Sequence, residues 1–511
     1  MSAPGIQRDG TLLDGSAFHS DGRWVRWDRG RPRKIGGFSQ ITSTMDGVVR
    51  GLDAYPDDGE IHIRMGSQSY LQALSLNPTT GIATIVTDQT PVGFATSDDN
   101  LWTFAQMYDV TSTDVYSLAH AAPNAMEIAA DTTAPLYYGD IRDNSTAFAA
   151  APSSSVSGGV AAFHPYTFIY GSDGLVTWSV AGKPTDFTNT GSGTARITAK
   201  KVVKALPVRG GAGTSPAGLF WSLDSLVRAT FSGGSTVFNF DTISDAIDII
   251  AQNSVVEYNG NFYWIGLGRF LMFNGVVREL ENVMNSNFFF DNLNWAYANK
   301  IFAHIVPQFR EIWWHFPMGD STEPNHAVIY NLRYDTWYDT PLPASGRAAA
   351  CNVDTFRYPL MSGVDLDASD QSILWQHEYG VDEISGGQTR AIRSYYTTGV
   401  LSAISPAEGG KPVNSTLRVT HVEPDFVQTG DMTLTLMGRA VAQGGTAETD
   451  PRTFVASPST PAQETIGFKD AEFRQMRAMF ESNVAGGDYK AGKPLALVST
   501  GSGTHLGKVG S

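Results

Sequence analysis

Aromatic and β-branched residues recur along the chain in short runs that Gly, Asn, Asp or Pro interrupt. The clearest region is Phe262 to Leu342, which contains the runs FYWIGLGRFLMFNG, AHIVPQFREIWWHF and AVIYNLRYDTWYDTPL. Runs of this length and composition predict short antiparallel strands joined by turns. No stretch of useful length in this region has the period of a helix. The pattern therefore predicts an all-β fold.

The order of apolar strand, turn and aromatic strand repeats roughly every 40 to 50 residues from about residue 46, a period typical of four-stranded β-propeller blades. The repeats begin near Gly47, Leu101, Val160, Val202, Val255, Ile301 and Ala348. We therefore predict a β-propeller over residues 46–388. It has seven blades, or six if the first or last repeat only closes the ring or lies outside it.

The pattern changes after residue 388. Alternating strands are predicted at 416–426, 432–440, 473–482 and 494–500, and they indicate a smaller β-sandwich-like domain over residues 389–500. Residues 501–511 are rich in Gly and Ser and are predicted to form a flexible tail. Asp245–Asn253 and Asn282–Trp295 are the two segments with the strongest tendency to form short helices.

The predicted N-terminal arm, residues 1–45, contains a basic segment, DGRWVRWDRGRPRKIGGF at 21–38. The segment has six positive charges and two negative ones, whereas the whole chain has a net charge of −15. One interpretation is a solvated charged face around a strand whose aromatic residues, Trp24, Trp27 and Phe38, enter the core. The other is an arm that docks on an acidic neighbouring subunit or on phosphate, since Arg stacks and makes bidentate contacts. The residues of this possible subunit-contact arm are Arg23, Trp24, Arg26, Trp27, Arg29, Arg31, Arg33 and Lys34.

The acidic charge argues against a general nucleic-acid-binding surface, because such surfaces neutralise phosphates with Lys and Arg. The single cysteine, Cys351, excludes an internal disulfide. The N-terminus has no basic segment followed by an apolar run, and no stretch approaches the length of a membrane span. We therefore expect a soluble chain that does not insert into a membrane.

The sequence contains no nucleophile elbow, and its ten His residues show no metal-binding spacing. Cys351 has no basic neighbours that would activate it as a nucleophile. The acidic run Asp365 to Asp370 lacks the central Gly and the distant Glu of a calcium loop. We therefore predict no catalytic residues, no cofactor, no cofactor-binding residues, no metal ligands and no enzymatic activity.

The stretch GSDGLVTW, Gly171 to Trp178, resembles the Asp-box hairpin of sialidases. The match is imperfect, because Ser172, Asp173 and Gly174 are adjacent where that box spaces them by single residues. An Asp box fixes a β-turn and is structural, so the stretch favours propeller-like hairpins over hydrolysis.

Four stretches together resemble the tail nozzle, or packaged-DNA-stabilisation, proteins of short-tailed bacteriophages. They are the segment GRWVRWDRGRPRKIGGF, the blade opening VVRGLDAY, the strand pair FWSLDSLVRATFSG and the hairpin VIYNLRYDTWYDTP. The C-terminal FRQMRAMF followed by PLALVST also fits this family. The likeness extends over most of the chain in order.

The resemblance implies a structural virion protein that is made in the host cytoplasm and forms a homohexameric ring at the distal end of the tail. In this family each subunit carries a β-propeller and a smaller β-rich platform domain. The ring lies below a tail adaptor protein, and tail fibres or receptor-binding proteins attach at its side. It encloses the channel that retains the DNA genome and then conducts it during ejection, without specific binding.

Two alternatives stay open at this point. One is a propeller-fold glycan hydrolase or glycan-binding tail protein, whose central pocket would gather acids and aromatics. The other is a cellular propeller scaffold that binds proteins and has no role in a virion. A channel that DNA must slide through gives the acidic charge a purpose, because a negative wall repels DNA.

Overall fold

Antiparallel strands dominate the fold, as the alternation of apolar runs and turns predicts. The structure is a computed structural model, and it describes residues 2–97, 100–112, 114–123, 126, 132–208, 216–234, 236–342, 346–364, 371–402, 416–439, 444–460, 465–469 and 471–501. In this part of the chain seven successive sheets form propeller blades, and three further sheets contain most of the C-terminal strands. The predicted all-β propeller is confirmed, and it has seven blades.

Six strands precede the first complete blade. They are β1 (Ala3–Ile6), β2 (Phe18–His19), β3 (Asp21–Arg23), β4 (Val25–Asp28), β5 (Arg31–Lys34) and β6 (Phe38–Asp46). A 3-10 turn, Asp14–Ala17, separates β1 from β2, and these two strands pair in parallel. β4 and β5 form an antiparallel hairpin.

Blades 1 to 3 each contain four antiparallel strands that follow one another in the chain. Blade 1 consists of β7 (Val49–Asp57), β8 (Glu60–Ser67), β9 (Leu71–Leu76) and β10 (Thr87–Asp88). Blade 2 consists of β11 (Leu101–Tyr108), β12 (Val115–Ala122), β13 (Tyr137–Asp140) and β14 (Ala149–Ala150). Blade 3 consists of β15 (Gly159–Phe163), β16 (Tyr166–Tyr170), β17 (Leu175–Trp178) and β18 (Gly193–Arg196).

Blades 4 to 6 repeat this arrangement. Blade 4 consists of β19 (Val202–Pro207), β20 (Ala217–Ser222), β21 (Leu226–Phe231) and β22 (Phe238–Ser244). Blade 5 consists of β23 (Val256–Tyr258), β24 (Asn261–Ile265), β25 (Phe270–Phe273) and β26 (Val277–Glu279). Blade 6 consists of β27 (Phe302–Val306), β28 (Glu311–Phe316), β29 (His326–Asn331) and β30 (Thr336–Pro341).

Blade 7 is built from both ends of the propeller sequence. Its first three strands are β31 (Arg347–Cys351), β32 (Leu360–Val364) and β33 (Gln371–His377), and β6 supplies the fourth. β6 pairs antiparallel with β33, with Gln40 opposite Trp375 and Phe38 opposite His377. β31 also contacts β7 of blade 1. The N-terminal strand therefore closes the ring, and the predicted boundary at residue 45 falls inside β6.

The predicted start of each repeat lies within two residues of the first strand of a blade. The agreement has a local cause, because each blade begins where a turn ends and an apolar run starts. The first and last repeats both form blades. The propeller therefore has seven blades, and the alternative of six is wrong.

Only one of the two predicted helical segments forms a helix. Asn282–Trp295 contains α1 (Ser286–Asn292), and a 3-10 segment, Trp295–Lys300, follows it. The prediction for Asp245–Asn253 is wrong, because this segment is not helical. Its Ile247 and Ile249 alternate along the chain and are both buried against the core of blades 4 and 5. A period of two with both residues buried is the pattern of an extended chain.

The strands of the C-terminal part of the chain are β34 (Glu383–Ser385), β35 (Gln388–Arg390), β36 (Ser394–Thr397), β37 (Leu401–Ser402), β38 (Thr416–Glu423), β39 (Phe426–Gln428), β40 (Met432–Arg439), β41 (Ala447–Glu448), β42 (Arg452–Phe454), β43 (Ile466–Gly467), β44 (Glu472–Phe473), β45 (Gln475–Ser482), β46 (Tyr489–Ala491) and β47 (Leu495–Gly501). β34 and β35 extend the sheet of blade 7, and the others form one seven-stranded and two four-stranded sheets together with β3, β4 and β5. The four strands predicted here correspond to β38, β40, β45 and β47. The predicted tail from residue 502 onwards and the acidic run 365–370 lie outside the described residues.

Blade 6 buries both of its faces, which explains its wealth of aromatic residues. On one face, Trp314 and Trp337 pack in the core that blades 5 and 6 share. On the other face, Trp313 and Tyr338 belong to a larger core that also includes residues of the basic segment and the C-terminal sheets. The aromatic run of β28 therefore serves two interfaces at once, because successive side chains of a strand point to opposite faces.

Candidate functional site

The basic segment, residues 21–38, lies between the propeller and the C-terminal sheets. Its strand β3 pairs with β36, and β5 pairs with β46 through Arg33 and Lys490. Trp24, Trp27 and Phe38 are each 1% exposed. These aromatic residues enter the core, as one interpretation expects, but Arg26 and Lys34 are buried as well, so the charged face of that interpretation is only partly solvated. The basic segment thus connects the propeller and the C-terminal sheets through buried side chains and strand pairing.

The eight residues of the possible subunit-contact arm divide into two groups. Trp24, Arg26, Trp27 and Lys34 are buried inside this chain and so cannot form a contact surface while the fold is intact. Arg23, Arg29, Arg31 and Arg33 reach the surface at least in part. On β5 the division follows from strand geometry, because neighbouring side chains point to opposite faces. On β4 the neighbours Arg26 and Trp27 are both buried, so both faces of this strand are covered. The role of the segment in subunit contact stays a prediction that rests on the second group.

Arg26 is the centre of a buried ionic network. One of its guanidinium nitrogens donates a hydrogen bond to Glu311 Oε2 at 3.0 Å, and both terminal nitrogens donate to Glu378, at 2.5 and 2.8 Å. The guanidinium carbon lies 3.8 Å from the ring centre of Phe309. Burial alone would lower the pKa of Arg26, but the charges of Glu311 and Glu378 raise it. Arg26 therefore stays charged in the interior.

Glu311 is the completely buried partner in this network, with none of its side chain exposed. It also accepts hydrogen bonds from Trp313 Nε1 at 2.9 Å and from the Tyr338 hydroxyl at 2.5 Å. Burial raises the pKa of Glu311, and the charge of Arg26 opposes this rise. The sequence reveals this site only as a single acid at the start of an apolar strand, and no pattern identifies its partners.

A second buried polar cluster lies between blades 6 and 7. His315 Nε2 is 3.1 Å from His304 Nδ1, and Arg347 Nε donates to His377 Nε2 at 2.8 Å. Burial lowers the pKa of His304 to about 3, with a further contribution from the charge of Arg26. Burial and the neighbouring cluster members also hold the pKa values of His315 and His377 well below the usual range. The three imidazoles are therefore neutral at pH 7, as expected for histidines that pack in a core.

A cavity of about 290 Å³ opens beside the Arg26 network. Arg33 and Lys34 of the basic segment line it together with Phe309, Arg357 and Tyr358. Lys34 Nζ donates to the carbonyl oxygen of Gly487 at 2.8 Å, and burial lowers the pKa of Lys34. The cavity therefore places part of the basic segment where the propeller meets the C-terminal sheets.

The Asp-box-like stretch forms the turn and strand that its composition indicates. Ser172–Gly174 is a 3-10 turn, and Leu175–Trp178 is β17. Asp173 and Gly174 both have left-handed backbone conformations, with φ of 55° and 66°. The Asp173 side chain is 70% exposed and pairs with Arg196. The stretch is therefore a surface hairpin.

Gly174→Ala should lower the free energy of unfolding by about 1–3 kcal/mol, because a Cβ there would overlap the carbonyl oxygen of Thr198 as well as strain the backbone. Gly59→Ala is the matched control, since Gly59 has φ of 80° with open space around it. Urea unfolding should show a clearly larger loss for Gly174→Ala. Equal losses in the two variants would mean that the overlap has no effect.

No group of three or more His, Cys, Asp or Glu side chains within the described ranges is arranged to hold a metal ion. Burial raises the pKa of the Cys351 thiol, and this disfavours a thiolate nucleophile. No helix in the same ranges is long and apolar enough to cross a membrane.

β47 is an exposed apolar strand at the edge of a C-terminal sheet. One of its edges pairs with β38, and no described strand pairs with the other edge. Leu495 and Leu497 are each 64% exposed, and Val498 is 44% exposed. The strand sequence, LALVSTG, contains no charge. Unpaired backbone groups beside apolar side chains form a template on which another strand can pair.

Comparisons with known proteins identify no family for the chain. No family model matches it, and no curated protein matches it. The chain is similar to one in the crystal structure of a mitotic checkpoint complex, with 11% sequence identity and a TM-score of 0.39. The match covers 69% of this chain and 94% of that chain. A likeness this distant carries no information about function.

Proposed function

We propose that this protein is a structural virion subunit that forms a homohexameric ring, the tail nozzle, at the distal end of a short phage tail. The ring encloses the channel that retains the DNA genome and then conducts it. The sequence resemblance supports this proposal, and so does the architecture of a propeller followed by a smaller β-rich region. In that family each subunit combines a propeller with a smaller β-rich domain.

The exposed strand β47 carries the proposal of self-assembly. Natural proteins protect edge strands with charges, prolines, bulges or covering segments, and Leu495–Gly501 has none of the first two. Its exposed leucines would be costly on a protein that works as a monomer. A second copy of the chain is the partner that the proposal names. In a closed ring, two different surfaces of each copy meet, so β47 would pair with another edge of the next copy.

The charge of the chain supports a passive channel. A net charge of −15 favours repulsion of DNA, so that the genome passes without specific binding. We place part of this charge on the ring lumen, with a tail adaptor protein above the ring and fibres or receptor-binding proteins at its side. Mapping the acidic residues onto a ring reconstruction tests this arrangement, and acids confined to the outer wall would contradict it.

Native mass spectrometry with negative-stain imaging tests the ring. A hexameric ring, alone or after addition of tail components, is the expected result. Subunits of such assemblies often stay monomeric until they meet the growing tail, so both conditions are needed. A chain that remains a monomer in both conditions would contradict the proposal.

Leu497→Lys should abolish ring formation while the subunit stays folded. The substitution places a charge on the exposed strand, a device that blocks pairing between strand edges. Ile85→Lys is the control, because Ile85 is 87% exposed but lies in blade 1. Circular dichroism should show both variants folded, and imaging should show rings only for the control. Rings formed equally well by Leu497→Lys would exclude β47 as the contact.

A glycan hydrolase receives less support from the central cavity of the propeller. Of the described residues that line this cavity, Asp53 is the single acid. Glycoside hydrolases use two carboxyl groups across the scissile bond. A stable monomer that cleaves host polysaccharide would nevertheless replace the ring proposal with this alternative.

A further inference from the structure

The inner strands of the propeller surround a cavity of about 180 Å³. Strands from blades 1, 2, 4, 6 and 7 contribute to its lining, together with the segment that precedes blade 5. Its polar and charged side chains are those of Arg50, Asp53, Thr103, Lys204 and Asn253. A central cavity with a few convergent polar groups is the usual place for a ligand in such a fold.

Lys204 on β19 has no carboxylate partner among the residues that the structure describes. Its sole hydrogen-bond acceptor among the described residues is Asn253 Oδ1, and at 3.5 Å this contact is long. Burial lowers the pKa of Lys204 to about 8, and no neighbouring charge contributes to the shift. The ammonium is therefore mostly charged at pH 7 and has unused donors directed to a partly desolvated space.

The other two charged groups of the cavity have partners. Arg50 donates two hydrogen bonds of 2.6 Å to Glu323, which Lys300 also contacts at 2.6 Å. Asp53 accepts hydrogen bonds from Gln106 at 2.9 and 3.0 Å, and burial raises the pKa of Asp53. Lys204 thus differs from Arg50, because no described carboxylate lies within hydrogen-bond distance of its ammonium group.

We propose that the propeller cavity binds a small anion, a phosphate or carboxylate group, with Lys204 as its counter-ion and Asn253 as a second polar contact. A charge that is removed from water without a partner is costly, and an anion removes that cost. Charge-assisted hydrogen bonds are also about twice as strong as neutral ones. The site is independent of ring assembly, so its failure would leave the proposed function untouched.

Titration calorimetry on the full chain tests this site with sodium phosphate, sodium sulfate and sodium acetate at matched ionic strength. Lys204→Met should weaken anion binding by about tenfold or more, which corresponds to loss of a charge-assisted contact. Lys200→Met is the control, because Lys200 lies near β19 but is 50% exposed and pairs with Asp224. The Lys200→Met variant should bind the anions as tightly as the original chain. Preference for phosphate and sulfate indicates a phosphate-bearing ligand, and preference for acetate indicates a carboxylate.

Equal binding by the Lys204→Met and Lys200→Met variants would overturn the proposal, and so would an original chain that binds none of the three anions. The melting temperature without anion separates binding from folding. Lys204 is only partly buried and has one long hydrogen bond, so its removal should leave that temperature unchanged or higher. A lower melting temperature of Lys204→Met without anion, with unchanged binding, would assign Lys204 a purely structural role and overturn the site.

Sulfate binding should weaken as the pH rises from about 7 to about 9.5, because Lys204 loses its proton near pH 8. The other charged or titratable groups nearby are Arg50, Asp53 and Cys351, and burial raises the pKa of the Cys351 thiol. The Lys204→Met variant should show no such change. Identical pH profiles in the two proteins would contradict the role of Lys204.

Discussion

Lowering the pH from 7 to 5 should reduce the free energy of unfolding by about 4 kcal/mol through two buried histidines alone. Burial lowers the pKa of His19 and of His120 to about 4, from an ordinary value of 6.5. His120 Nε2 lies 3.1 Å from the carbonyl oxygens of Ala134 and Val156, and His19 Nδ1 lies 2.9 Å from that of Ala3. Both imidazoles are therefore held neutral by the fold.

The loss of stability at low pH follows from the difference in proton uptake between the unfolded and the folded chain. Between about pH 6.5 and pH 4 the unfolded chain binds protons at these histidines and the folded chain does not. Their contribution to stability is therefore complete above pH 6.5 and is lost as the pH falls towards 4. His304, His315 and His377 act in the same direction, because their pKa values are also lowered. Domains are typically stable by only about 5–15 kcal/mol, so the effect is large.

Two buried carboxyl groups oppose this loss. Burial raises the pKa values of Asp53 and Glu311, so each takes up a proton more readily in the folded chain. Six buried histidines with lowered pKa values, the five above and His62, outnumber them, and the net effect of acid is destabilising. Urea unfolding followed by tryptophan fluorescence at about pH 7, 6 and 5 measures it.

His120→Gln should reduce the number of protons taken up on unfolding in acid by about one, so that stability depends less on pH. The amide nitrogen can donate in place of Nε2 and does not titrate. His421→Gln is the control, because His421 is exposed on β38 and should leave the dependence unchanged. If the urea midpoint of unfolding of the original chain stays constant from pH 7 to pH 5, the predicted loss of stability in acid is wrong.

Arg26→Met should destabilise the protein by about 3–5 kcal/mol, because it leaves the carboxylate of Glu311 buried without a counter-ion. Arg26 is 1% exposed and the side chain of Glu311 is 0% exposed, so water cannot replace the lost partner. The loss should appear in the urea midpoint. Arg29→Met provides the control at an exposed turn position, with a change within about 0.5 kcal/mol.

The double variant Arg26→Met with Glu311→Gln should recover part of this loss. The amide removes the unpaired charge. Its oxygen can accept from Trp313 Nε1, and its nitrogen can donate to the hydroxyl oxygen of Tyr338. A double variant that is less stable than Arg26→Met alone would show that the charge of Glu311 is not what makes the single substitution costly.

The sequence by itself determined the repeat of the propeller, because strands and turns are encoded by neighbouring residues. Each blade start follows from a local change between turn and apolar run, and the large aromatic side chains of Trp24 and Trp27 are enough to predict their burial. The same local rule failed at Asp245–Asn253, where the apolar residues fit a buried extended segment as well as a helix. Periodicity separates these two states poorly in short apolar runs.

The tertiary structure alone decided how the chain closes and which charges meet. β6 completes a blade whose other strands follow more than 300 residues later, and Arg26 finds Glu311 and Glu378 at separations of 285 and 352 residues. Lys204 looks in the sequence like any other lysine of a basic run, yet it lines the propeller cavity, and no described carboxylate lies within hydrogen-bond distance of it. Such features depend on distances across the folded molecule, and the spacing of residues along a single chain does not contain those distances.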